Sequence, residues 1–255
     1  MQAILNIAIR AARKAGAHIL REHLRLNTNF SHENVHKLQI QAETMMIDII
    51  QKAYPEHGVV TTNTDPSEAE TVWHIELVSG FENLLRNIPH YALVIVIAER
   101  QKPRYTLVYD PNTEEIFTAV AGGGAQCNDY RLRTNKCGQL QGALLATSTL
   151  TLQAGELKVP TLLTALSAAG SSFYNQGCAA LSLAYVAAGR LDGFFGVGLS
   201  KIVLNAGLLL LNETGALVSD WQVAHQYLEK LELLTANPKL FKLLAPRFKE
   251  IMQTT

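Results

Sequence analysis

The run Trp73-His74-Ile75-Glu76-Leu77-Val78-Ser79-Gly80-Phe81-Glu82-Asn83 gathers the most chemically suggestive side chains of this sequence. His74 and Glu76 alternate, so on a β-strand they project from one face. A nitrogen and an oxygen donor placed that way could begin a metal site. No third or fourth ligand stands close by, so an ordinary hydrogen-bonded histidine is the plainer reading. Glu82 could swing toward the same place, although a solvated or ion-paired glutamate is the simpler assumption. His32 and His36 are four residues apart, which would bring two imidazoles together on a helix. They lie, however, among Asn and Ser residues that read as a polar loop. Cys178 precedes a helical pattern, where a thiol pKa can be lowered. No basic partner is in view, and a small buried filler is expected there. Gly122-Gly123-Gly124 invites a phosphate-loop reading, but the lysine and hydroxyl residue of such a loop are missing and no helical pattern follows, so a turn is expected.

The elements that would carry these residues can be read from periodicity. Ile4, Ile7, Ala8, Ala11, Ala15, Ile19 and Leu20 share one side at helical spacing, which predicts an amphipathic helix over 2–24. A second helix is expected over 38–53, closed by Tyr54-Pro55. Residues 91–99, 105–109 and 116–120 read as strands of an antiparallel meander, with Asp110-Pro111-Asn112 as one of its turns. From residue 143 the rhythm changes to alternating strands (143–147, 171–174, 193–197, 217–220, 233–236) and helices (157–168, 179–188, 203–212). A last helix over 238–252 carries Pro238 in its first turn, where the missing N–H is no loss. The expected fold is an α+β half, 1–142, followed by an α/β half, 143–255, in one compact unit.

Composition bounds the partners. The 255 residues hold 22 basic and 22 acidic side chains, so the whole chain exerts no net field to draw in nucleic acid, and any such contact would have to be local. Direct nucleic-acid binding is therefore not predicted. Two basic clusters, Arg100-Lys102-Arg104 at a hairpin and Lys239-Lys242-Arg247-Lys249 along a helix, read as solvated charge. A 48% apolar content with 17% charged residues suggests surface hidden in an oligomer or a large core. Cys127, Cys137 and Cys178 lack metal or redox spacing and read as reduced thiols. No secretory leader or membrane-length apolar run is visible, so a cytoplasmic protein is expected.

Longer stretches carry a resemblance. The segments 5–16, Tyr109-Asp110-Pro111, Glu115-Ile116-Phe117-Thr118-Ala119, Gly124-Ala125-Gln126-Cys127-Asn128 and 179–195 resemble the inositol monophosphatase family, in its bacterial SuhB-like branch, and the likeness runs from about residue 3 to 250. The resemblance implies a layered αβαβα sandwich of the inositol monophosphatase/sugar phosphatase type. It also implies where that family's chemistry would sit. The segment at Trp73 is similar to the family's W-x-I-D-P-L-D-G-T-x-N signature, whose aspartates hold Mg²⁺. Glu76 stands at the first aspartate, Ser79 at the second, and Phe81 at the threonine that helps activate water. The family's paired glutamates fall on Thr62 and Asn63. The aspartate of its W-D motif falls on Val203, and an upstream aspartate associated with a third metal falls on Gln39. On the substrate side the expected aspartate is Ser182 and the expected glutamate is Gly196.

Two Mg²⁺ ions need several hard oxygen ligands, and of these acidic positions Glu76 alone keeps a carboxylate. Val203 and Phe81 facing a phosphate would leave its charge uncompensated. The expectation is a catalytically silent pseudophosphatase with no cofactor, acting by protein binding. The SuhB-like resemblance implies a homodimer that associates with RNA polymerase and Nus factors in antitermination of ribosomal RNA synthesis, with Arg190 as a candidate contact residue. The alternative is a Mg²⁺-dependent inositol-1-monophosphatase acting on inositol monophosphate or a similar sugar phosphate.

Overall fold

A computed structural model describes residues 3–26, 31–61, 68–148 and 158–253. Helix α1 (Ala3–Leu26) follows the expected apolar stripe, and α2 (His32–Ala53) packs along it. The second helix begins six residues before the sequence-based boundary. Ser31 caps it, its hydroxyl accepting from the Asn34 amide at 3.2 Å, and Glu33 sits in the first turn, where the helix dipole favours an anion. His32 and His36 thus belong to a helix rather than to a loop. Tyr54 closes it through an N–H bond to the Ile50 carbonyl.

Strands β1 (Gly58–Val60) and β2 (Thr71–Ser79), the short helix α3 (Phe81–Leu85), and strands β3 (Ala92–Glu99), β4 (Lys102–Asp110), β5 (Glu115–Val120), β6 (Gly124–Cys127) and β7 (Tyr130–Arg131) come next. They form one seven-stranded sheet in chain order, parallel between β1 and β2 and antiparallel beyond. The turn at Gly122 to Gly124 is indeed a turn. Its Gly122 and Gly124 amides grip the Glu213 carboxylate at 2.6 and 2.8 Å, so the anion it holds belongs to the chain itself.

The second half alternates β8 (Leu144–Thr147), α4 (Lys158–Ala168), β9 (Ser172–Tyr174), α5 (Ala179–Ala187), β10 (Gly193–Gly196), α6 (Lys201–Thr214), β11 (Leu217–Ser219), α7 (Tyr227–Lys230), β12 (Leu233–Ala236) and α8 (Pro238–Gln253). Its five strands lie in the order β11-β12-β10-β8-β9.

Alternation along β3 explains the layering. Leu93, Ile95 and Ile97 face α1 and α2, while Ala92, Val94 and Val96 face α5 and α6, so a strand buried on both faces reads as an unbroken apolar run. The α5 and α6 helices lie in one cluster with Ala146, Phe194 and Leu233 of the second sheet, whose other face, with Leu145, Phe195 and Leu234, meets α4 and α8. The result is the expected αβαβα sandwich, with a middle core that draws on both halves. Among the described residues, no helix is long and apolar enough to cross a membrane.

Candidate functional site

Glu76 lies near the end of β2. There the strand bulges: Glu76 pairs with Val94 and Ser79 with Ala92, so Leu77 and Val78 together oppose the single Leu93. Residues three apart on a regular strand face opposite ways, and the extra residue turns Glu76 and Ser79 toward the same space. Gly80 then leaves the strand at φ +93°. A side chain there would meet the His90 carbonyl, Cys178 Cβ and Tyr91 Cα at 3.1–3.3 Å, so only glycine suits the turn.

Glu76 and Ser79 open onto a cavity of about 730 Å³ that is also lined by Ser148, Lys158, Ser200, Val203, Trp221, Lys230 and Glu232. Ser200 is the N-cap of α6. It accepts from the Val203 amide at 3.1 Å and donates its own proton to the Glu76 carboxylate. Burial pushes the Glu76 pKa up, and the Ser200 hydrogen bond pulls it partly back. The Glu232 carboxyl is likewise raised by burial, with Lys230 opposing. Lys230 is itself committed to the fully buried Asp220 at 2.9 Å. Burial acts to raise Asp220, but the Ala224 amide, Lys230 and the Gln222 amide outweigh it and hold this acid below its ordinary value. Lys158 donates to the Met252 carbonyl at 2.6 Å.

Of the positions singled out in the sequence, the fold brings Glu76, Ser79 and Val203 together. Val203 is buried in the first turn of α6 and presents only apolar surface to the cavity. Phe81 does not face that space, contrary to the expectation of an aromatic ring against a phosphate. It starts α3 and lies against the His32 ring at 5.9 Å, because the Gly80 turn directs it toward α2. Gln39 is part-exposed on α2 and away from the cavity lining. Ser182 is buried within α5, its hydroxyl donating to the Cys178 carbonyl at 3.0 Å. Gly196 ends β10 hard against Ser148, where a Cβ would come within 2.5 Å of the Ser148 hydroxyl. The Ser148 hydroxyl meanwhile accepts from the Val197 amide and donates to the Val197 carbonyl. Thr62 and Asn63 lie outside the described residues.

Two further candidates make defined contacts within the chain. The Cys178 thiol is buried, donates to the Ser79 carbonyl, and is pushed up to about 12 by burial, so it is a filler and not a reactive thiolate. Arg190 forms a two-pronged ion pair with Glu115, one arm at 2.7 Å, and lies over the Tyr185 and Phe117 rings at 5.2 and 5.5 Å. Among the described residues no group of three or more His, Cys, Asp or Glu is disposed to hold a metal ion. Sequence reading missed Ser200, although a serine just before a helical pattern is a visible cap signal. It also missed Ser148, Lys158, Lys230 and Glu232, which converge from separate loops and helix ends with no local spacing to betray them.

Comparison with known proteins gives the same frame. The profile of the inositol monophosphatase family matches residues 1–253. The Nus factor SuhB of Escherichia coli (strain K12) is 35% identical over 260 residues, covering 98% of this chain and 97% of that one. The Nus factor SuhB of Vibrio cholerae is 34% identical, again covering 98% and 97%. Among solved structures, the extragenic suppressor protein suhB from Bartonella henselae superposes with a TM-score of 0.87 at 26% identity, over 99% of each chain. Inositol monophosphatase from Anabaena gives 0.84 at 26% identity, over 100% of this chain and 97% of that one.

Proposed function

The chain belongs to the inositol monophosphatase family, and from that premise we propose that it acts by binding other proteins rather than by hydrolysing phosphate esters. In this reading it is a cytoplasmic, homodimeric accessory factor of the Nus type, engaged with RNA polymerase and Nus proteins in antitermination of ribosomal RNA synthesis. The support for the partner class is the whole-length similarity to proteins named Nus factor SuhB.

The observation that carries the loss of catalysis is the condition of Glu76. Its carboxylate accepts the Ser200 hydroxyl, and its cavity neighbours are the Ser79 hydroxyl and the apolar Val203. A pair of Mg²⁺ ions brings four positive charges and demands near-octahedral oxygen coordination. One carboxylate already hydrogen-bonded, beside a valine and in a cavity shared with two lysines, does not fit that demand. The other acid among the described residues lining the cavity, Glu232, is engaged by Lys230.

Two measurements test the reading. Purified protein with millimolar Mg²⁺ is expected to release no phosphate from inositol monophosphate above a no-enzyme blank; EDTA-sensitive turnover would establish the Mg²⁺-dependent phosphatase instead. Affinity capture from native lysate is expected to retain RNA polymerase and Nus proteins. Their absence from the captured fraction removes the transcription role.

A further inference from the structure

The molecule is neutral as a whole but not in its parts. The segment 131–139 carries Arg131, Arg133 and Lys136 with no acid, and α8 carries Lys239, Lys242, Arg247 and Lys249 against the single acid Glu250. The fold joins the two segments. Asn237, just ahead of α8, donates to the Asn135 side chain at 3.1 Å and to the Cys137 carbonyl at 2.8 Å, and the Lys239 side chain packs beside Gly138. Lys239, Lys242 and Lys249 are exposed, and their spacing of three and seven puts them along one stripe of the helix. Arg131, Arg133, Lys136, Lys239, Lys242 and Lys249 enter no ion pair among the described residues.

A second observation distinguishes this ridge from ordinary solvated charge. It begins at β7, the edge strand of the seven-stranded sheet, whose Tyr130 is 81% exposed and is the one strongly exposed Phe, Tyr or Trp among the described residues. We propose that Tyr130 and the basic ridge running from Arg131 to Lys249 form a binding surface for single-stranded nucleic acid. The lysines and arginines track the phosphate backbone and the tyrosine ring offers a face on which a base stacks. Aromatic platforms beside a basic track are how single strands are bound without sequence readout, since every base has a π-face. An acidic protein segment would be served by the charges alone and would leave Tyr130 without a role. The extended segment reaches at most about 17 Å from Arg131 to Lys136, and α8 adds about 15 Å from Lys239 to Lys249. That length suits the short end of sites of roughly 4–16 nucleotides. Asp129, beside Tyr130, and Glu250 are the acids next to its two ends in sequence, and Asp192, which accepts from the Asn135 side chain at 2.7 Å, lies beside its middle.

The test is fluorescence anisotropy of labelled oligouridylate and oligothymidylate, about 12 nucleotides each, titrated with the purified full chain over a range of salt. Saturable binding at about 50 mM salt that weakens steeply as salt rises is expected, and the tighter of the two oligomers identifies RNA or DNA. Replacing Lys239, Lys242 and Lys249 together by Gln is expected to lower the slope of log affinity against log salt by about 2, at about 0.7 for each phosphate left without its lysine. Tyr130→Ala should weaken binding about fivefold or more, one stacked base being worth at least about 1 kcal/mol. Arg10→Gln with Lys14→Gln, in a basic groove between α1 and α2, should leave binding unchanged. The proposal is overturned by no saturable binding, by ridge variants that bind like the parent, or by an acidic polyglutamate peptide that binds more tightly than either oligomer. Because the probe is a bare oligonucleotide, its failure leaves the protein-partner reading standing, and the reverse holds as well.

Discussion

At Glu76 two influences oppose each other, burial favouring the neutral acid and the Ser200 hydroxyl favouring the carboxylate, and burial is the larger. A carboxyl whose pKa is raised by folding contributes stability that is present below its ordinary value of 4.5 and is lost as the pH rises through the folded value. Glu76→Gln keeps an acceptor for Ser200 and removes the buried charge. It should therefore raise the melting temperature at pH 7 by up to about 2–4 °C, the equivalent of up to about 1 kcal/mol for a chain of this size, with the gain shrinking as the pH is lowered toward 4.5. Melts with and without millimolar Mg²⁺ add the decisive arm. If Mg²⁺ stabilises the parent and not the variant, Glu76 is a metal ligand and the binding-protein reading fails. Arg190 behaves differently, because its guanidinium spends its donors on Glu115 and its face on two rings. Its side chain is 44% exposed, so solvent screens the ion pair. Arg190→Met should lower the unfolding free energy by about 1–2 kcal/mol in a urea titration. A variant as stable as the parent, yet deficient in partner capture, would show that Arg190 acts on the partner and not on its own fold.

Elements position these side chains more than their neighbours in sequence do, and α6 shows how. Ser200 satisfies the first turn of the helix and at the same time reaches across to β2, so one hydroxyl ties the second half of the chain to the bulge in the first. Ser200→Ala removes both bonds and should cost about 1 kcal/mol, within the 0.5–2 kcal/mol range of a missing N-cap. It should also raise the Glu76 pKa further, so that the pH dependence of stability shifts upward relative to the parent. An unchanged pH profile would mean that the Glu76 contact is not formed in solution. The long helices, the meander and the strand–helix alternation were legible because their apolar spacing repeats over many residues. The start of α2 was not, since its first turn is polar and its signal is the Ser31 cap and not a periodicity. Nor was the cavity. Its lysines, serines and Glu232 come from loops and helix ends brought together by sheet order, and Gly196 reads as a missing acid in sequence but as a close contact with Ser148 in space.

For the molecule as a whole, the change of rhythm near residue 143 suggests two halves, while the middle core argues for one cooperative body. Val94, Val96, Val108 and Phe117 of the first sheet lie in a single buried cluster with Leu183, Leu204 and Leu208 of α5 and α6 and with Ala146 and Phe194 of the second sheet. Neither half could expose its share of that cluster to water without losing on the order of 25 cal/mol for each Å² of apolar surface uncovered. The chain provides its own reporters, because its two tryptophans fall in different outer cores. Trp73 lies in the cluster shared by α1, α2 and the first sheet, and Trp221 in the one shared by α4, α8 and the second sheet. Trp73→Phe leaves the second reporter and Trp221→Phe leaves the first, and each replacement shortens a buried ring at some loss of stability. Fluorescence of each variant reads one outer layer, and far-ultraviolet circular dichroism of the same sample reads the whole chain. If the sandwich unfolds as one unit, the two signals coincide within each variant at a common urea midpoint, even though the midpoints differ between variants. Fluorescence and dichroism transitions that separate in either variant would show that residues 1–142 and 143–255 unfold independently and that the shared core does not couple them.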